Sequence, residues 1–264
     1  MLLNRLAALM LTLTVAACAA GGATPSSGTA SAPLHRTAWL PKGETRAVVL
    51  ALHGYGDHAA SVFREAGPGW AGRGIAVHAY DHRGFGHSAD HGRWPGADRL
   101  IADAVAETVR LRQAHPGLPL YLLGHSMGGG IALAALAEGA PADGAVLVAP
   151  AMAGGGQIGP MSRAALWTMT QVVPDRRFTG EGIVQKQSTD NIAVLRRLAA
   201  DPLYIGAPSP REIMGLVRVM DRAAAGAPAV DQPVLVLIGE RDEFVDADEV
   251  AAVAALIPGL DRLE

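Results

Sequence analysis

The stretch Tyr121-Leu122-Leu123-Gly124-His125-Ser126-Met127-Gly128-Gly129-Gly130 decides how this chain is read. Three apolar residues lead into G-x-S-x-G at 124–128, and a Gly-rich, then Ala-rich, segment leads out. A short apolar run, small residues and a helical pattern in that order predict strand, tight turn, helix. A serine on such a turn is lifted above the sheet, and its glycines are needed where backbones pass close together. The outgoing helix presents its positive end, and the N–H of Met127 can stabilise a negative oxygen beside Ser126. The competing reading is a Gly-rich turn carrying a solvent-facing serine with no chemistry.

Outward from that turn, 47–52 reads as a buried strand that feeds directly into His53-Gly54-Tyr55-Gly56-Asp57. Its position lets the backbone N–H of Tyr55 act as a second donor to the same oxygen. His53 is expected to pack or hydrogen-bond within the loop rather than act as a base. Further strands are expected at 35–40, 75–80, 120–123 and 145–149, with helices within 61–70 and over 98–115 and 129–138. Several strands are apolar on both faces and alternate with helices. That pattern predicts an α/β fold, a mainly parallel sheet with helices on both sides. The charged loop after 75–80 reads as a hydrogen-bonded loop rather than a metal site. Between 149 and 233 the rhythm changes to helices, notably 162–172 and 210–225, the size of an inserted lid. The sheet resumes at 234–238, and a helix follows near 246–256. The expected division is 34–150 and 231–264 for the core and 151–230 for the lid.

The 264 residues are half apolar and carry a formal charge of −3, with no basic stripe, so nucleic acid is not an expected partner. Arg5 precedes an apolar run over 6–17 that is too short to span a bilayer comfortably and fits a signal peptide. Val15-Ala16-Ala17-Cys18 resembles the lipobox of bacterial lipoproteins, in which the cysteine is lipidated; Cys18 is the chain's one cysteine. The expectation is a signal peptide over 1–17, a Gly/Ser/Pro tether over 18–33, and attachment to a membrane of the bacterial cell envelope. Ala19 resembles the pattern that permits sorting to the outer membrane, facing the periplasm. Plain secretion is the alternative.

Four motifs in order resemble the monoacylglycerol lipase and lysophospholipase branch of the α/β-hydrolases, a branch also joined to serine aminopeptidases. They are His53-Gly54-Tyr55-Gly56, the run from Tyr80-Asp81-His82-Arg83 to His87-Ser88, the turn at Ser126, and Gly239-Glu240-Arg241-Asp242. Asn191 followed by Asp201-Pro202-Leu203 is similar to a lid segment of the same branch. The resemblance implies an α/β-hydrolase fold and a nucleophile at Ser126, with Asp242 as the acid that orients a histidine. It also implies that Asp81, His82 and Arg83 brace the floor of the site. Asp246 and Asp248 compete with Asp242, although Asp246 could instead cap the last helix.

The histidine of that triad should follow one more strand, and no histidine follows His125. The expectation is that the last strand, the histidine loop and a closing helix lie beyond residue 264. The chain is then either a fragment or a product whose base is lost. His87, His91 and His125 lack the order that would support them as the base.

The implied reaction is cleavage of a lipid-like or small ester through an acyl-enzyme, with monoacylglycerol or lysophospholipid suggested by the resemblance and no metal or organic cofactor. A short-chain or aryl esterase, an aminopeptidase using Glu181 or Glu212 to receive an amine, and a non-catalytic acyl-binding lipoprotein remain open. Met152, Met161, Leu166, Trp167, Met169, Val172 and Val173 either line an apolar entrance or pack in the core.

Overall fold

The computed structural model describes residues 32–153, 159–178 and 189–264, and Pro33–Glu264 forms one compact unit. Cys18, the targeting segment and Glu181 lie outside the described residues. Strands β1 (Arg36–Trp39), β2 (Ala47–Leu52), β3 (Ile75–Tyr80), β4 (Leu120–His125), β5 (Gly144–Val148), β6 (Val234–Leu237) and β7 (Leu260–Leu263) form one sheet. Their order is β1-β3-β2-β4-β5-β6-β7; β1 runs antiparallel to β3, and every other pairing is parallel. The apolar runs AVVLAL and VLVL sit where parallel strands must be apolar on both faces. The β2–β4 register sets Leu52 beside Gly124, so both strands deliver their following loops to one end of the sheet.

Over one face lie α3 (Ala97–Ala114), α4 (Met127–Ala137), α7 (Pro210–Gly226) and α8 (Ala247–Ala254), which share a core with Leu50, Leu122, Ile131, Leu133, Val219 and Val236. Helix α4 is buried around its circumference, which is why its sequence has no polar stripe. The other face is packed by α1 (Ala59–Val62) and α2 (Ala66–Ala71) around Phe63, Val77 and Leu123. Farther along that face Val146, Val148, Leu235 and Leu237 are only partly buried. Helices α5 (Pro160–Val172) and α6 (Ile192–Ala200), with α7, fill the stretch between β5 and β6.

One expectation is corrected. The last strand, expected beyond residue 264, is present as β7. Its Leu260 pairs with Val234, and Ile238 N–H donates to Glu264 O at 2.7 Å. Leu260-Asp261-Arg262-Leu263 is charged at its centre because it is an edge with little to bury, so its sequence lacks the apolar run of an inner strand.

Candidate active site

Ser126 joins β4 to α4 at φ 52° and ψ −118°. That conformation is rare for a residue with a side chain and costs about 1–3 kcal/mol. Hydrogen bonds on both flanks hold it. Ser126 N–H donates to Val148 O at 2.9 Å, and Ser126 O accepts from the N–H groups of Gly129 and Ala151, each at 2.9 Å. The motif glycines are required by contact. A Cβ on Gly124 would collide with the backbone of Gly128 and Gly129, and one on Gly128 with the carbonyl oxygens of Leu52 and His53. The turn is therefore wedged against the end of β2.

The His53-Gly54-Tyr55-Gly56 loop runs flush against this turn. A Cβ on Gly54 would lie 3.2 Å from His125 Nδ1 and 3.3 Å from Ser126 Cβ, tighter than ordinary van der Waals contact. The Gly54–Tyr55 peptide is thus brought alongside Ser126. Met127 contributes the first N–H of α4, a position with no acceptor inside its own helix. The two N–H groups predicted to serve one oxygen belong to segments that meet at the serine.

His53 holds the loop in place and does not face the site. It is fully buried, and its Nε2 accepts from His82 N–H at 2.9 Å. That bond leaves the proton on Nδ1, which donates to Gly54 O at 2.8 Å. Burial, reinforced by the neighbouring His82, holds its pKa well below the usual histidine value. Burial also pushes His82 down to about 3. Asp81 accepts from Ala59 N–H at 2.9 Å and from His87 N–H at 2.8 Å, and Arg83 pairs with Asp103 at 2.6 Å. The charged loop is the hydrogen-bonded brace its composition predicts.

A second layer ties this loop to the α6–α7 connection. Ile205 N–H donates to Gly56 O at 2.8 Å, and His58 Nε2 meets Asp201 Oδ2 at 2.9 Å. Burial would raise the Asp201 pKa, but the His58 hydrogen bond and the Leu203 N–H hold it below the usual carboxylate range. Tyr55 packs edge-on against Phe85, with ring centroids 5.4 Å apart. Burial, with the Glu212 carboxylate nearby, raises the pKa of its hydroxyl. Glu212 itself is buried in a capping box with Ser209, where it accepts from Ser209 N–H at 2.7 Å and from Arg177 at 3.1 Å. It has no freedom to receive a substrate amine, which corrects that expectation.

Asp242 stands on the loop after β6. Its Oδ1 accepts from Phe244 N–H at 2.8 Å and Val245 N–H at 2.9 Å, which fixes the carboxylate while Oδ2 takes no hydrogen bond from the described residues. Asp246 is instead the N-cap of α8, accepting from the N–H groups of Asp248 and Glu249. Asp248 lies exposed in the first turn of that helix. Asp242 also bears on the neighbour of Ser126. The His125 ring, exposed on one side, is crowded by protein atoms that lower its pKa, against the pull of the Asp57 and Asp242 carboxylates. Among the described residues no histidine hydrogen-bonds to Asp242 or to the Ser126 hydroxyl. His87 is held at Asp81, and His91 Nδ1 lies 2.8 Å from Gly86 O.

The apolar lid residues divide. Met152 is in the core, whereas Met161 (86% exposed), Trp167 (58%), Met169 and Val172 stand in solvent on α5, so core packing does not account for them. No described helix is long and apolar enough to cross a membrane.

Comparison with known proteins gives the same picture. The family model described as "Serine aminopeptidase, S33" matches residues 43–262. The monoacylglycerol lipase of Mycolicibacterium smegmatis is 29% identical over 223 residues, covering 78% of this chain and 74% of that protein. A putative monoglyceride lipase of Schizosaccharomyces pombe is 30% identical over 228 residues, covering 82% of this chain and 59% of that protein. The crystal structure of Paleococcus ferrophilus monoacylglycerol lipase superposes with a TM-score of 0.71 at 21% identity, covering 88% of this chain and 86% of that one. A soluble variant of Saccharomyces cerevisiae monoglyceride lipase gives 0.71 at 19% identity, with coverage of 92% and 88%. At these identities the two structures speak to the fold alone, which is that of an α/β-hydrolase.

Proposed function

Because the chain belongs to the serine aminopeptidase S33 family, we propose that it is a serine ester hydrolase that cleaves monoacylglycerol-like lipids through an acyl-enzyme. The observation that supports this reading is the close approach of Gly54 to the strained Ser126, which suits a pair of backbone N–H donors, those of Tyr55 and Met127, serving one oxygen. In the proposed reaction Ser126 Oγ attacks the ester carbonyl, and the N–H groups of Tyr55 and Met127 receive the negative charge that develops on its oxygen. The alkoxide leaves with the proton taken from Ser126, and water then releases the fatty acid. Asp242 is assigned to orient the histidine that carries that proton. The family resemblance puts this histidine after β7, and residues 126–264 contain none.

The lipid substrate rests on the names of the relatives and on the exposed apolar side chains of α5, which suit a lid over residues 151–230 that meets acyl chains. Anchoring in the bacterial envelope through Cys18 rests on the residues Val15-Ala16-Ala17-Cys18. Monoacylglycerols of several chain lengths, a lysophospholipid, a short aryl ester and an aminoacyl anilide, assayed side by side, test the reading. Monoacylglycerol is expected to be cleaved best, with activity lost in Ser126→Ala. Preferential cleavage of the anilide, or hydrolysis that survives Ser126→Ala, would overturn it.

A further inference from the structure

We propose that His35, Asp81 and His87 form a binding site for a divalent transition-metal ion, separate from Ser126, which revises the expectation that the charged loop after β3 is a hydrogen-bonded loop rather than a metal site. One ligand atom from each of these side chains lies within 4.8 Å of the other two. They come from three places: the residue before β1, the end of β3, and the loop beyond it. The carboxylate is the fixed point. Asp81 is buried, and its Oδ1 is held by Ala59 N–H at 2.9 Å. Gly86, at φ 54°, wraps so closely that a Cβ there would collide with the carboxylate. His35 is tied to the same residue, because Asp81 N–H donates to His35 O at 2.9 Å.

The separation of His87 from Asp81 suits two ligands of one ion, and the same oxygen, Asp81 Oδ2, also accepts His87 N–H at 2.8 Å. His87 Nδ1 lies 3.3 Å from Asp81 Oδ2. A charge-assisted N–H···O bond is shorter, about 2.7–2.9 Å. Two ligands each about 2.0–2.1 Å from a tetrahedral zinc ion stand about 3.3 Å apart, which is the separation found. The His35 and His87 rings converge, with centroids 4.6 Å apart and a tilt of 33°, on this one carboxylate. One dication would engage both imidazoles and the carboxylate together. Two imidazoles and one carboxylate are a donor set suited to zinc. Both histidines are exposed, so the ion can enter from solvent. His58, whose ring lies 6.0 Å from that of His87, pairs with Asp201 through Nε2. The bound ion would clamp the start of β1 to the loop that braces the Ser126 site.

Titration of the full chain, carrying no histidine tag and stripped by chelator, with zinc sulfate in a calorimeter tests the site. One zinc per chain is expected, with a melting temperature that rises on zinc addition. His35→Ala and His87→Ala should each weaken binding by about a hundredfold, a first ligand mattering at least as much as the outer partners whose loss costs 10–100-fold. The rise in melting temperature should vanish with it. His87→Gln, which keeps a polar side chain on the loop, should behave as His87→Ala. Absence of saturable binding overturns the proposal. So does wild-type affinity in either single variant, which would show that zinc binds elsewhere.

Discussion

Lowering the pH from 7.5 to 5.5 should destabilise the fold through His53 and His82 before any carboxylate contributes. Both side chains are fully buried, and their pKa values in the fold lie below the ordinary 6.5, His82 at about 3. Protonating His53 at Nε2 would break its bond from His82 N–H, and the His82 ring nitrogens have no partner among the described residues. The unfolded chain binds protons at these two groups near pH 6.5 and the folded chain does not. Stability is therefore full above pH 6.5 and falls as the pH drops toward the folded values. At pH 5.5 His82 has lost about 1 kcal/mol, and His53 adds a loss of the same sign, out of a typical total of about 5–15 kcal/mol. His78, lowered to about 4 by burial and by His115, adds a smaller share because it is partly exposed. Asp143 and Asp201, held low in the fold, lose their contributions only below about pH 4, so the upper window isolates the histidines. Urea unfolding followed by tryptophan fluorescence at pH 7.5, 6.5 and 5.5 measures the slope. A change below about 1 kcal/mol between the extremes would refute the assignment of two neutral, buried imidazoles.

Gly128→Ala should lower stability by about 1–3 kcal/mol, because its Cβ meets backbone carbonyls that cannot swing aside; a urea midpoint equal to that of the parent chain would contradict this. Ser209→Ala should cost about 1 kcal/mol through loss of the capping box on α7, read by the same method. Asp201→Ala should release the α6–α7 connection from the His58 loop, seen as faster hydrogen exchange at the Ile205 amide, which now donates to Gly56 O. If proton transfer needs an imidazole that no described histidine supplies to the Ser126 hydroxyl, added imidazole should accelerate ester cleavage by this chain and leave Ser126→Ala unaffected.

Much of the site was legible because its physical demands are local. The turn at Ser126 needs glycines at 124 and 128, and the structure shows the backbone contacts that forbid a side chain there. The inner strands announce themselves because parallel strands are apolar on both faces, as in AVVLAL. β7 escaped the same logic as an exposed edge with Asp261 and Arg262 at its centre. Glu212 looked available in sequence and proved buried, because nothing local tells that Arg177, 35 residues away, closes over it. The approach of His35 to Asp81 and His87 was invisible for the same reason, being created by the antiparallel pairing of β1 with β3. The apolar residues of α5 could not be assigned from pattern alone, since exposure and burial use the same residue types.

The most direct test of the central arrangement is covalent labelling with a long-chain fluorophosphonate followed by peptide mapping. Phosphonylation at Ser126, slowed by a competing monoacylglycerol and abolished in Ser126→Ala, is the predicted result. A label that settles on another serine, or a Ser126 that stays unmodified even with added imidazole, would contradict the account.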